Sequence, residues 1–198
     1  VIIKLAHNIS RETGEKNLCL AGGVALNCVV NGILSRMNIF DDIWIQPASG
    51  DAGGSLGAAL ATHYIHNQKK RKIISGSDSM KGSYLGPSFS RDEIELSLDS
   101  LGAVYEELDY ESLIDFTSQK LSEGNAVGWF SGRSEFGPRA LGARSILADP
   151  RNINMQKNLN LKVKFRESFR PFAPAVLAEK TDSWFDINIP SEYMLLVA

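Results

Sequence analysis

Asn17-Leu18-Cys19-Leu20-Ala21-Gly22-Gly23-Val24-Ala25-Leu26-Asn27 carries the switch on which the architecture depends. A short apolar run, residues 17–21, meets paired glycines and gives way to residues 24–37. There Val24, Leu26, Val29, Val30, Ile33 and Leu34 recur at helical spacing. The order is strand, glycine turn, helix. It repeats at once: residues 43–46 read as a strand stopped by Pro47, and Ser49-Gly50-Asp51-Ala52-Gly53-Gly54-Ser55 leads into a small-residue helix over residues 52–65. Upstream, Ile2, Ile3, Leu5, Ala6 and Ile9 predict a helix over residues 1–13 that ends near Gly14. Consecutive strand–turn–helix units predict an α/β fold.

Beyond the second helix the character changes. Residues 66–87 are rich in Lys, Ser and Gly and lack an apolar period, which predicts a domain boundary. The expected organisation is a first domain over residues 1–75, a linker over 76–87 and a second domain over 88–198. The second domain reads as a helix over 90–101 with Ser90 as its N-cap, a strand over 103–108 and a helix over 110–123. Strands over 126–130 and 146–149 and a helix over 152–161 follow, then extended segments over 172–177 and 194–198. This alternation predicts a mixed sheet. The chain opens on Val1 inside a helical pattern and stops within a strand-like one, so it reads as part of a longer polypeptide.

Composition narrows the function class. With 43% hydrophobic and 22% charged residues and a mean hydropathy of -0.12, the chain has the make-up of a soluble globular protein. No stretch reaches the roughly 18 apolar residues of a membrane span. A net charge of -2 argues against a protein that coats nucleic acid. Cys19 and Cys28 make no disulfide framework and are expected reduced and partly buried, as in a cytoplasmic protein. His7, His63 and His66 read more simply as solvated helix residues than as metal ligands.

Both glycine turns suit an anionic ligand, since glycine admits close approach to the backbone and a helix N-terminus offers unpaired N–H groups. Asn27 can hydrogen-bond a ribose or a base edge. Asp51 can either coordinate a metal or cap the helix that follows. The sharper signal lies in residues 131–170, with nine basic residues against three acidic ones, a net +6 inside a chain of net -2. Six of the nine are arginines, whose planar fork suits bidentate binding of phosphate and carboxylate. Gly132, Gly137, Pro138, Gly142 and Pro171 fix turns among them, and Phe136, Leu141, Phe165, Phe169 and Phe172 must pack. A pocket for a small phosphorylated anion fits this pattern better than a nucleic-acid surface.

The paired glycine turns resemble those of the actin-like ATPase superfamily. Gly132-Arg133-Ser134-Glu135-Phe136-Gly137-Pro138-Arg139-Ala140-Leu141-Gly142-Ala143-Arg144-Ser145-Ile146-Leu147-Ala148-Asp149-Pro150-Arg151 resembles a signature of the NodU/CmcH-type O-carbamoyltransferases. Arg166-Glu167-Ser168-Phe169-Arg170-Pro171-Phe172-Ala173-Pro174 resembles a second one. The resemblance implies the C-terminal piece of an actin-like ATPase domain followed by a YrdC-like α/β domain with a mixed twisted sheet. It further implies that carbamoyl phosphate is broken down in the YrdC-like domain and that carbamate attacks ATP to form carbamoyl-adenylate. A small hydroxyl acceptor then takes the carbamoyl group in the actin-like domain, beside a divalent metal, iron or magnesium.

On that resemblance Arg166, Arg139 and Arg144 are the expected catalytic arginines, with Arg166 foremost for carbamoyl phosphate. Gly132, Arg133, Lys162 and Arg170 are expected to bind ATP and carbamoyl phosphate beside them. Gly22, Gly23 and Asn27 would line the adenylate site, and Asp51 would be a metal ligand. The family's metal-binding histidines lie upstream of the residues present, so this polypeptide alone is expected to be inactive in transfer. A tRNA threonylcarbamoyl-modification protein and a non-catalytic nucleotide- and phosphate-binding module are the alternatives; the arginine signature favours small-hydroxyl carbamoyl transfer over the first, and the second stays open.

Overall fold

A computed structural model describes residues 1–73, 76, 78–187 and 189–198. Residues 74, 75 and 77, where the expected first domain ends and the linker begins, lie outside the described residues. The chain packs as two compact units, each assembled from separated segments. The first comprises Val1–Gly86, Glu135–Leu141 and Leu177–Ala198, and the second Pro87–Ser134 and Gly142–Val176.

The first unit is built on strand–turn–helix logic. Helix α1 (Ile2–Thr13) ends at Gly14, whose φ of 69° places it in the left-handed conformation that glycine adopts without strain. Strands β1 (Asn17–Leu20) and β2 (Asp42–Ile45) pair in parallel, Asn17 opposite Asp42 and Leu20 opposite Ile45. A parallel pair needs a crossover, and here a 3-10 turn (Gly23–Leu26) and helix α2 (Cys28–Arg36) supply it. The expected helix over 24–37 is therefore broken at Asn27, whose Oδ1 accepts a 3.3 Å bond from Val30 N and caps α2. Ala6 of α1, Leu34 of α2 and Phe40 form the buried centre, and Ile3, Leu18, Leu20, Val30 and Ile43 pack on it. Leu34 is 1% exposed, so truncating it to Ala would cost about 2–5 kcal/mol.

Strand alternation leaves Cys19 and Trp44, which are register partners, on the opposite, exposed face. The period-2 pleat, with Leu18 and Leu20 turned inward, thus corrects the expectation that Cys19 is partly buried; Cys28 is half-buried. Helix α3 (Asp51–Ala61) follows β2 and runs on as a wider π turn through Thr62–His66.

In the second unit, helix α4 (Arg91–Ser100) starts with a full capping box between Ser90 and Glu93. Helix α5 (Tyr110–Ser122), capped by Asp109, precedes β3 (Val127–Phe130), which pairs antiparallel with β4 (Arg144–Leu147). Helix α6 (Met155–Asn158) continues as a π turn, Leu159–Val163, and buries Met155, Leu159 and Asn160. The last helix, α7 (Thr181–Trp184), belongs to the first unit. The result is a mixed α/β structure with one parallel and one antiparallel two-stranded sheet among the described residues.

Three expected extended segments form no strand among the described residues. Val104 in residues 103–108 stands fully exposed. Residues 172–177 include Pro174, which has no N–H for a ladder, and follow Pro171. In residues 194–198, Met194 takes a φ of 54°, outside extended geometry, and the segment is held through side chains of α2 instead.

Candidate functional site

In the first unit, the glycine turns converge with a returning segment. Gly22 takes a φ of 91°, and neither Gly22 nor Gly23 has an atom within 4 Å of where a side chain would start, so the turn is open to a ligand. The two last carbonyls of the 3-10 turn are held from outside. Buried Asn31 donates from Nδ2 to Ala25 O at 2.8 Å and to Leu195 O at 3.0 Å. Arg139 donates from Nη2 to Leu26 O at 3.0 Å. Arg139 reaches this position because residues 135–141 belong to the first unit. Phe136 N donates to Ser83 O at 2.7 Å, Tyr84 Oη to Leu141 O at 2.6 Å, and Leu141 N to Glu135 Oε1 at 2.7 Å.

Gly137, with a φ of 133°, lies so close to Ala48 that an added Cβ would sit 3.4 Å from it. Ala48 is wholly buried at the mouth of the second glycine turn. There Gly50 precedes α3 without a side-chain cap, and the buried Ser49 Oγ has no hydrogen-bond partner among the described residues. Asp51 is exposed in the first turn of α3, where a carboxylate suits the positive end of the helix dipole. Among the described residues no three His, Cys, Asp or Glu side chains gather as a metal would require.

The other arginines fall in the second unit as two clusters. After β3, Arg144 lies over the Phe130 ring, its Cζ 3.3 Å from the centroid, and donates to Ser131 O, Gly132 O and Ala143 O. These bonds clamp the turn at which Gly132 takes a φ of 57° and from which exposed Arg133 projects.

After α6, Arg166 is held differently. Asn160, with no exposed surface, accepts from Arg166 Nε at Oδ1 at 2.6 Å and from Arg166 N at its backbone oxygen at 2.9 Å. Asn160 Nδ2 donates to Ser168 O at 3.2 Å and to Arg170 O at 2.8 Å. The Arg166 guanidinium also rests 5.0 Å from the Phe172 centroid. Phe165 just before it is 84% exposed with a φ of 49°, an unusual conformation for a bulky residue and a mark of local strain.

Lys162 is exposed on the π turn. Arg170 pairs with Glu167 at 2.8 Å, which holds the Glu167 carboxyl below its ordinary range and raises the guanidinium. Arg151 does the same for Asp149. Asn160, Asn31 and Ser49 were invisible to sequence reasoning, because an asparagine or serine in a polar stretch carries no signal of burial. The approach of Arg144 to Phe130 and of Arg166 to Phe172 was foreshadowed only by the interleaving of arginine with phenylalanine.

Comparison with known proteins adds an independent line. Residues 1–60 match the family described as Carbamoyltransferase N-terminus, and residues 118–198 match Carbamoyltransferase C-terminus. An uncharacterized protein of Synechocystis sp. is 54% identical over 200 residues, covering 100% of this chain and 32% of that protein. Nodulation protein NolNO of Sinorhizobium fredii is 41% identical over 188 residues, covering 94% of the chain and 27% of its own length. Nodulation protein U of the same species is 35% identical over 182 residues, with 92% and 30% covered. The chain thus spans about a third of the length of the curated relatives it matches.

Proposed function

Since the chain belongs to the carbamoyltransferase family, we propose that it forms part of an O-carbamoyltransferase that activates carbamoyl phosphate with ATP and passes the carbamoyl group to a small hydroxyl acceptor. The observation that carries this reading is Arg166. Its Nε is bonded to a buried amide and its Cζ lies 5.0 Å from the Phe172 centroid, while its two terminal nitrogens have no hydrogen-bond partner among the described residues. A guanidinium fixed in this way offers a preset fork to a phosphate or carboxylate edge.

The steps follow from anion chemistry. Water cleaves carbamoyl phosphate to carbamate and inorganic phosphate. A carbamate oxygen attacks the α-phosphorus of ATP, and the bond to pyrophosphate breaks, giving carbamoyl-adenylate. The acceptor hydroxyl attacks the carbamoyl carbon, its proton is lost, and AMP departs. Bringing carbamate and ATP together opposes like charges, which Arg166, Lys162 on the adjoining π turn, Arg133 and, once released from Glu167, Arg170 would offset. Arg144 would shape the second loop. Gly22, Gly23 and Asn27 form the open turn proposed for the adenylate, with Arg139 fixing its end. The actin-like character of residues 1–75 and the YrdC-like character of residues 88–198, joined by a linker over 76–87, belong to the same proposal. A divalent metal would polarise the acceptor step in the whole enzyme. Asp51 stands in no group of three or more potential metal ligands among the described residues, and no step above runs through it.

Calorimetry of the chain with carbamoyl phosphate tests the reading: Arg166→Ala should weaken binding at least tenfold, the loss expected for a charged hydrogen-bonding pair. In the full-length enzyme, ATP–pyrophosphate exchange should require carbamoyl phosphate. Exchange driven instead by bicarbonate and threonine would favour threonylcarbamoyl chemistry and overturn it.

A further inference from the structure

We propose that Asn160 is the positioning residue of the anion site, locking Arg166 in the orientation that presents its terminal nitrogens to a phosphate. This rests on the assignment of Arg166 to carbamoyl phosphate. The side chain of Asn160 is fully buried, and both its donor and its acceptor ends are used. Its oxygen takes the Nε proton of Arg166, which fixes the guanidinium plane. Its amide nitrogen ties the carbonyls of Ser168 and Arg170, which fixes the loop on which the arginine stands. With Arg166 N bonded to the Asn160 backbone oxygen, one residue governs both backbone and side chain of the arginine.

The geometry explains why an amide is needed. A carboxylate would accept from Nε but repel the two carbonyls, and it would neutralise the charge meant for the ligand. An apolar residue would strand the Ser168 carbonyl and a guanidinium edge, and would leave Arg170 O with Gln156 as its donor. A preset guanidinium also loses less side-chain freedom on binding an anion than a free one.

A neighbour supplies the control. Gln156 Nε2 donates to Phe169 O at 3.3 Å and Arg170 O at 3.1 Å, so it braces the same loop with no hydrogen bond to Arg166 among the described residues. The experiment compares Asn160→Ala, Asn160→Asp, Gln156→Ala and Arg166→Ala in the 198-residue chain. Two quantities are read: the Kd for carbamoyl phosphate by calorimetry, and the 15N–1H signal of Arg166 Nε with its solvent exchange.

The parent should show a slowly exchanging Nε–H. Asn160→Ala should lose that protection and raise Kd about tenfold. Asn160→Asp, the closest replacement in size and the arbiter if the alanine variant does not fold, should keep the Nε–H signal and still bind at least tenfold more weakly. Gln156→Ala should keep the protected signal and stay within about threefold of the parental Kd.

Parental affinity in a folded Asn160 variant, while Arg166→Ala loses binding, overturns the proposal. So does an equal loss of affinity and Nε protection in Gln156→Ala and Asn160→Ala, which would mark a general loop effect. Should Arg166→Ala bind as the parent does, the carbamoyl phosphate assignment fails, and the positioning role toward that ligand falls with it. The Nε–H signal would then report separately whether Asn160 still fixes the side chain.

Discussion

Arg144 and Arg166 have the same side chain and different surroundings. Arg166 has one nitrogen committed to Asn160 and rests at 5.0 Å on Phe172, whereas Arg144 sits at 3.3 Å on Phe130 and bonds three backbone carbonyls. Arg144→Lys should therefore act on stability. Lysine keeps the charge but loses the planar stack and the forked bonds, so unfolding in urea should show a loss of about 1–2 kcal/mol. The Kd for carbamoyl phosphate should change much less than in Arg166→Lys. A variant with parental stability and lost anion binding would place Arg144 on the ligand instead. The sequence motif contains both arginines but does not separate their surroundings, which depend on the carbonyls and rings that the fold brings alongside.

At the scale of elements, the residues near the C-terminus are held by a staple between Tyr193 and Asp78. Tyr193 Oη donates a short bond to Asp78, and Gly82 N and Met80 N donate to the same carboxylate. Burial and the Asp78 bond push the Tyr193 phenol up. Burial opposes ionisation of Asp78, yet the bonds from Tyr193, Gly82 and Met80 hold it below its ordinary 3.8. Tyr193→Phe should cost about 1 kcal/mol at neutral pH.

The pH window follows from the two directions. The Asp78 contribution is complete above its unfolded value of 3.8 and disappears as pH falls through its lower folded value. The Tyr193 contribution is complete below its unfolded value of 10.0 and declines as pH rises from there toward its higher folded value. Melting temperatures of parent and variant should differ by a constant amount from about pH 5 to 9 and converge in acid. A gap that persists unchanged after the Asp78 carboxyl has titrated in the folded parent, followed by its own NMR signal, would show that the bond is not the cause.

The same segment passes so close to α2 that a Cβ on Gly32 would stand 2.5 Å from Val197 O. Gly32→Ala must displace backbone, and a loss of about 1–3 kcal/mol is expected in the same melts. The strand–glycine–helix periodicity of residues 17–65 was legible in the sequence, since parallel strands and their helices write their periods locally. The docking of residues 193–197 was not. It depends on single polar side chains, Asn31, Arg36 and Tyr193, meeting partners more than a hundred positions away.

On the scale of the whole chain, the first unit draws on sequence from both family matches. Residues 1–60 match the N-terminal family, yet the same unit contains residues 135–141 and 177–198 from the C-terminal match. The division at residues 76–87 remains a proposal about family domains, whereas packing follows Arg139, Gly137 and Leu195 back to the glycine turns. This interleaving has a measurable consequence. Residues 1–86 expressed alone would lose the Arg139 bond to Leu26 O, the Leu195 bond to Asn31 and the cover that Gly137 gives Ala48. Exposing the Leu195 contact and stranding these polar groups should cost about 2–4 kcal/mol. Hydrogen exchange should then quicken about tenfold or more at Ala25 and Asn27, whose amides bond within the 3-10 turn. Residues 87–198 added in trans should restore protection if the returning segments dock unaided. Equal exchange in the fragment and the whole chain would mean that the glycine turn is held by its local residues alone, and that Arg139 is available for the anion chemistry its motif suggests.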